Sequence, residues 1–238
     1  MGHESKNMRN NRLALIATLI ILIVVFSLIF KVFTWDIFTH VIVSLLRMSV
    51  GYIAAIVLGV LGAMILKLHK YLSYAFKPLI SFFIAIPTIT WVPLLLIITG
   101  ISEKTIVITI FLGSYFAILY NTLEGFENID HNLIKVGKML GYNKFQQLLR
   151  ISLPASFNYI LVGMKLGVAY SWRALVGAEM LGASSCGLGH LLFTSRKFYN
   201  LNKMVMTLMI IGLLGYILNR ILISLIEEKT VSKWGLNK

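Results

Sequence analysis

Four ionisable side chains stand inside apolar stretches of this 238-residue chain: Arg47, Lys165, Arg173 and Glu179. A charge in hydrocarbon is costly enough that it either pairs with another group or faces water. The chemistry open to these residues is therefore ion pairing within a bundle or the lining of a polar pathway. Three of them share one segment with Trp172, and Lys165, Trp172 and Glu179 recur every seven residues, nearly in line on a helix. At 1.5 Å per residue, Lys165 and Glu179 lie about 21 Å apart and do not pair with each other. Arg47 and Arg173 are the candidate partners of Glu179, and Lys165 can snorkel towards the nearer membrane face. Another face of the same segment carries Gly163, Gly167, Ala174 and Ala178, a small-residue stripe that lets a second helix approach closely.

Covalent chemistry has no comparable foothold. There is no phosphate-binding G-x-x-x-x-G-K-[ST] loop, no G-x-S-x-G elbow and no H-E-x-x-H pair. The single cysteine, Cys186, excludes an intrachain disulfide. His190 stands alone, and no Cys/His spacing suits zinc. No catalytic residue or metal is expected, and active transport by this chain requires a partner to supply the energy.

The elements that position these residues are membrane helices. A hydrophobic content of 58%, 13% charged residues and a mean hydropathy of +0.84 do not fit a soluble globule. Six segments reach the ~20 apolar residues that a span needs: Leu13–Phe33, Ile42–Leu66, Leu79–Thr99, Thr105–Leu123, Phe157–Leu181 and Met204–Ile226. The first follows Lys6, Arg9 and Arg12 as a signal peptide would, but it is longer than a signal core and has no small-residue cleavage site. It is expected to be retained. The third is expected to start at Pro78 and to kink at Pro87 and Pro93.

A formal net charge of +13 would suit nucleic acid in a soluble protein. In a membrane protein it reads as topology, because cytoplasmic loops collect Lys and Arg. With the N-terminus inside, fourteen of the 22 cations fall in cytoplasmic segments, five fall outside, and Arg47, Lys165 and Arg173 remain within helices. Both termini are then cytoplasmic, with residues 1–12 as an N-terminal segment, 13–226 as the transmembrane domain and 227–238 as a tail.

That topology also places Asp130–Pro154 in the cytoplasm, a polar and basic island between apolar segments. Asp130 can cap a short helix that Gly141 ends in a left-handed conformation. Asn143, with Gln146 three positions on, offers a capping box for a second. On the first helix His131, Lys135 and Lys138 share one face and Leu133, Val136 and Leu140 the other. On the second, Phe145, Leu148 and Leu149 oppose Gln146, Gln147 and Arg150. Two small amphipathic helices in one loop suggest a docking surface. On the outer side, residues 182–202 hold a turn at Gly187 and Gly189 before a short amphipathic element, which either covers the bundle or presents Arg196 and Lys197 to a partner.

Within the island, Gly141 is followed after nine residues by Ile151, then Leu153 and Pro154. This spacing resembles the EAA-loop signature of ABC-transporter permeases that work with substrate-binding proteins. The resemblance runs from about Ser44 to Glu228. IPTITWVPLLLIITGISE at 86–103, LYNTLEGFENID at 119–130 and GMKLGVAYSWRALVGAEML at 163–181 are similar to the nitrate/sulfonate/taurine branch. It implies an all-α, six-helix, type I importer-like transmembrane domain in a bacterial plasma membrane, paired with a second permease copy as a homodimer. It also implies two cytosolic subunits that hold ATP and Mg, and an extracytoplasmic binding protein that delivers the solute. The coupling element would comprise Asp130, Leu133, Lys135, Val136, Gly137, Leu140, Gly141, Phe145, Ile151, Leu153 and Pro154. The family's E-A-A triplet maps to Lys135, Val136 and Gly137, so a lysine stands at its acidic position. Two alternatives stay open: the same architecture importing a vitamin precursor or another small organic solute, and an ATP-independent secondary transporter or channel.

Overall fold

The computed structural model describes residues 35–182 and 185–230, with the side chains of 35, 36, 70 and 221–230 left out of the description. The expected span Leu13–Phe33 lies outside the described residues, as do 1–12 and the end of the tail. All described regular structure is helical. The helices are α1 (Trp35–Leu68), α2 (Lys70–Ala85), α3 (Trp91–Thr99), α4 (Glu103–Glu127), α5 (His131–Met139), α6 (Lys144–Gln147), α7 (Phe157–Gly182), α8 (Leu188–Lys197) and α9 (Leu201–Thr230).

By length and composition, three helices among the described residues can cross a membrane: Ile37–Leu68 within α1, Glu103–Glu127, and Leu201–Arg220 within α9. Two bent pairs raise that number to five when each is taken as one span. The expected third span is one of these pairs. Instead of a kinked Leu79–Thr99 rod starting at Pro78, α2 begins at Lys70 and holds Pro78 inside it. The chain then turns by 86° before α3. Pro87, which has no N–H to continue the ladder, opens a 3-10 turn at Thr88–Thr90, whose Thr90 N–H and hydroxyl both donate to the Pro87 carbonyl. Pro93 sits in the first turn of α3 and breaks nothing.

α4 is the axis of the bundle. Its Ile106, Ile110, Ile118 and Leu123 are all but inaccessible, and α1 and α7 flank it. The fit on the α7 side depends on small residues. A Cβ placed on Gly163 would stand 2.9 Å from that of Asn121 and 3.2 Å from the Ile118 backbone, and one on Gly167 would press on Ile118 and Ser114. Ala174 and Ala178 are buried on the same helix. On the other side, a Cβ at Gly51 of α1 would meet Ile110 at 2.8 Å. These contacts make a tight α1–α4–α7 layer in which side chains from all three meet at fixed depth.

Candidate functional site

The Asp130–Pro154 segment forms a knob rooted in the end of this layer. Asp130 caps α5 by accepting from the Asn132 N–H at 2.8 Å. The C-terminus closes with a paired motif in which Gly141 N–H donates to Lys138 O and Tyr142 N–H to Gly137 O, both at 3.0 Å. That closure requires Gly141 at φ +74. At α6, Asn143 accepts from the Gln146 N–H while the Gln146 side chain accepts from the Asn143 N–H, completing the capping box. The expected second amphipathic helix keeps α geometry only through Gln147, because Leu148–Ser152 widens into a π turn ahead of Pro154. Arg150 lies over the Tyr142 ring, tying the two halves together.

One side of the knob is anchored. Ile129 and Leu148 are buried among Leu66, Ile80, Leu123 and Phe126, with Ile134 and Leu153 packed alongside. Gly137 is buried against Ile151. Lys77 bridges to Glu124 and Glu127 at 2.6 Å each, and Lys67 donates to the Phe126 carbonyl, fixing α1 and α2 to the end of α4 from which the knob departs. The other side is bare. Leu133, Val136, Met139, Leu140 and Phe145 are all exposed, with Met139 at 87% and Leu140 at 63%. The inward stripe of α5 is half-buried Ile134 and buried Gly137, so the apolar face formed by Leu133, Val136 and Leu140 is turned away from the bundle. Lys135 is exposed and has no carboxylate partner among the described residues. The exit is rigid as well: Ser156 and Tyr159 press against Gly125 of α4, where a Cβ would stand 2.6 Å from that of Tyr159. Across that point the chain bends by 65° into α7.

At the far end of α7, Glu179 is fully buried and Arg47 of α1 reaches it at 2.8 Å. Of the two arginines able to partner Glu179, Arg47 is the one that does. Ser44 donates to the Glu179 carboxylate, the Gly189 N–H donates to Glu179 Oε2 at 2.9 Å, and the Leu188 N–H donates to Ser44 Oγ. Arg47 also donates to the Cys186 carbonyl and makes two 2.5 Å bonds with Glu103. His40 Nδ1 lies 2.9 Å from the Gly187 N–H. The cluster thereby ties α1, α4 and α7 to the turn that opens α8. Ser44, His40 and Glu103 are absent from the sequence-based candidates. Positions 40, 44 and 47 fall on one face of α1 at helical spacing, and a polar stripe in an apolar helix was the available signal.

The remaining candidates stand apart. Trp172 is buried against α9, with its indole nitrogen 2.6 Å from where a Cβ on Gly215 would stand. Lys165 is half-buried nearer the knob. Arg173 is exposed and lines a cavity of about 420 Å³ beside the Pro87 break. Arg196 and Lys197 are exposed at the end of α8. No group of His, Cys, Asp and Glu among the described residues is placed to hold a metal ion.

Residues 55–229 match the family model described as binding-protein-dependent transport system inner membrane component. A protein of Methanocaldococcus jannaschii assigned as an ABC transporter permease is 31% identical over 187 residues, covering 79% of this chain and 70% of its own. A Bacillus subtilis protein assigned as the aliphatic sulfonates transport permease SsuC is 28% identical over 84% of this chain and 71% of its own. The nitrate import permease protein NrtB of Leptolyngbya laminosa is 27% identical over 82% and 69%.

Proposed function

The chain belongs to the binding-protein-dependent inner membrane components of ABC transporters, and from that premise we propose that it is the permease subunit of an ATP-driven importer. In this reading it moves a small nitrate-, sulfonate- or taurine-like solute delivered by an extracytoplasmic binding protein. Leu13–Phe33 joins the five spans to make six, both termini are cytoplasmic, and two copies form the pore. The Asp130–Pro154 knob inserts into a cytosolic subunit that holds ATP and Mg. Asp130 and Gly141 fix its ends, Leu133, Val136, Leu140 and Phe145 supply the contact, Lys135 stays solvated, and Gly137, Ile151, Leu153 and Pro154 join it to α7.

The observation that carries this reading is the bare apolar face of a knob that is otherwise capped and anchored. Exposed Leu133, Val136, Met139, Leu140 and Phe145 on a polar loop are left uncovered by the described residues, and apolar surface of this kind marks a protein contact. An anchored knob also transmits rigid-body movement, because its root and α7 share the Gly125–Ser156 contact. Opposite it, the Arg47–Glu179 cluster would hold the outer ends of the helices together while the knob moves.

Gentle extraction followed by reconstitution tests the proposal. An ATP-binding subunit should copurify, and uptake of taurine, nitrate or a short alkanesulfonate should require ATP. Uptake driven by an ion gradient alone, with no ATPase subunit bound, would refute it.

A further inference from the structure

Two cations of α7 have no carboxylate partner among the described residues, Lys165 and Arg173. Lys165 stands nearer the knob, where a flexible stem can carry its ammonium to water. Arg173 stands deeper in the helix and lines the cavity of about 420 Å³. The other walls include Tyr170 and Ala174 of α7, Gly113 of α4, Ile84 of α2, and Thr88 and Trp91 at the Pro87 break. The break is seated by small residues. A Cβ on Gly113 would lie 3.1 Å from the Thr88 methyl and 3.2 Å from that of Ala174, so the 3-10 turn rests directly on α4 and α7.

Irregular backbone within a membrane span is tolerated where it is buried in protein or lines a water-filled cavity. An unpaired guanidinium is tolerated on the same condition. A single cavity meets both requirements here. Its volume is at the lower end of the range for small-molecule sites, roughly 300–1,000 Å³, and suits a polyatomic ion of a few heavy atoms. Its chemistry is one-sided, with a planar fork of donors, two hydroxyl-bearing residues and apolar walls. A guanidinium fork matches two oxygens of a planar or tetrahedral oxyanion in a way that an ammonium does not.

We infer that Arg173 is the anion-recognising group of a transient site in this cavity, taking small oxyanions through its guanidinium on their way across the bundle. The inference rests on the reading of the chain as an importer permease and adds to it a residue and a ligand chemistry. Arg47 has no such freedom, because Glu179 and Glu103 already neutralise it.

The test uses the intact permease–ATPase complex in phosphatidylcholine nanodiscs, with Cys186→Ala removing the chain's one cysteine. Thr88→Cys then reports on the cavity, its modification followed by mass spectrometry of the permease; Ile84→Cys, also in the lining, serves if Thr88→Cys does not assemble. An anionic methanethiosulfonate should react about tenfold or more faster than a cationic one of similar size. Nitrate should slow the anionic reagent. Arg173→Gln should abolish both effects, Arg173→Lys should keep the rate preference but lose nitrate protection, and Arg220→Gln, outside the lining, should change neither. An anionic preference undiminished in Arg173→Gln would overturn the inference, as would a thiol that neither reagent reaches because a second copy covers it. Nitrate protection that disappears when phosphatidylglycerol is added would assign the cavity to a lipid headgroup and also overturn it. The thiol measurement does not depend on ATP-driven uptake, so failure of the importer reading would appear as loss of ATP dependence and not as loss of anion preference.

Discussion

Arg47 and Glu179, 132 residues apart in sequence, meet at 2.8 Å with 6% and 0% of their surfaces accessible. Burying both charges is costly, and the cost is offset because each of their nitrogen and carboxylate oxygen atoms has a partner: Glu179 accepts from Ser44 and the Gly189 N–H, while Arg47 also bonds Glu103 and the Cys186 carbonyl. The pair therefore fixes the α8 turn to the membrane helices more than it stabilises the bundle outright.

Removing one partner should be far worse than removing both. Glu179→Ala leaves an Arg47 N–H, the Ser44 hydroxyl and the Gly189 N–H without their buried acceptor, with Glu103 still pairing Arg47, and is expected to cost about 3–5 kcal/mol. The double variant Arg47→Met/Glu179→Leu should recover much of that, and Glu103→Ala, at a carboxylate 62% exposed, should cost no more than about 1 kcal/mol. Thermal inactivation midpoints of the detergent-solubilised variants check the order, which a purely additive loss in the double variant would contradict.

A second prediction concerns the α8 turn. Gly187 has φ +130, and a Cβ there would overlap the Glu179 carboxylate. Gly187→Ala combines backbone strain with overpacking, each about 1–3 kcal/mol. A Cβ on Gly212 of α9 would meet nothing within 4 Å among the described residues, so Gly212→Ala should be silent or stabilising by up to about 1 kcal/mol. The same heating assay separates them.

Much of the knob was legible because its signals are local. Asp130, Gly141, Asn143 and Gln146 each specify a cap that needs no tertiary information, and each forms. The Pro87 break was legible as a position but not as an angle, since the 86° turn depends on Thr88 finding Gly113 and Ala174 on other helices. Pro93 misled because a proline three residues into a new helix looks the same in sequence as one in the middle of an old helix. The choice of Arg47 over Arg173 by Glu179 was undecidable from spacing, because it is set by how α1 packs on α4. The Ser44 and Glu103 contacts follow from the same packing.

The cap at Gly141 should act locally. Its φ of +74 disfavours a side chain, yet an added Cβ would meet nothing within 4 Å among the described residues, so Gly141→Ala should cost only the backbone strain of about 1–2 kcal/mol. That predicts roughly 5–30-fold faster exchange of the Tyr142 amide, which bonds the Gly137 carbonyl, with the bundle unchanged. Gly141→Asn should lie between. Unaltered exchange in Gly141→Ala would show that the motif is not held in solution.

Lys135 provides a contrast. Because it is exposed and has no carboxylate partner among the described residues, Lys135→Glu should change affinity for the ATP-binding subunit by less than about fivefold, the scale of an exposed pair. Partner affinity measured by biolayer interferometry on nanodiscs checks this, and a change of about a hundredfold would mean that Lys135 enters a desolvated contact.

The most direct measurement is ATP-driven uptake by the reconstituted transporter carrying Val136→Gln and Leu140→Gln. Both side chains are exposed and anchor nothing in the bundle, so the subunit should fold with its thermal midpoint intact. If the bare face of the knob is what docks on the ATP-binding subunit, binding-protein-stimulated ATP hydrolysis and solute uptake should fall together by about tenfold or more, the loss expected from truncating apolar anchors. Full ATP-driven uptake by this variant would contradict the account.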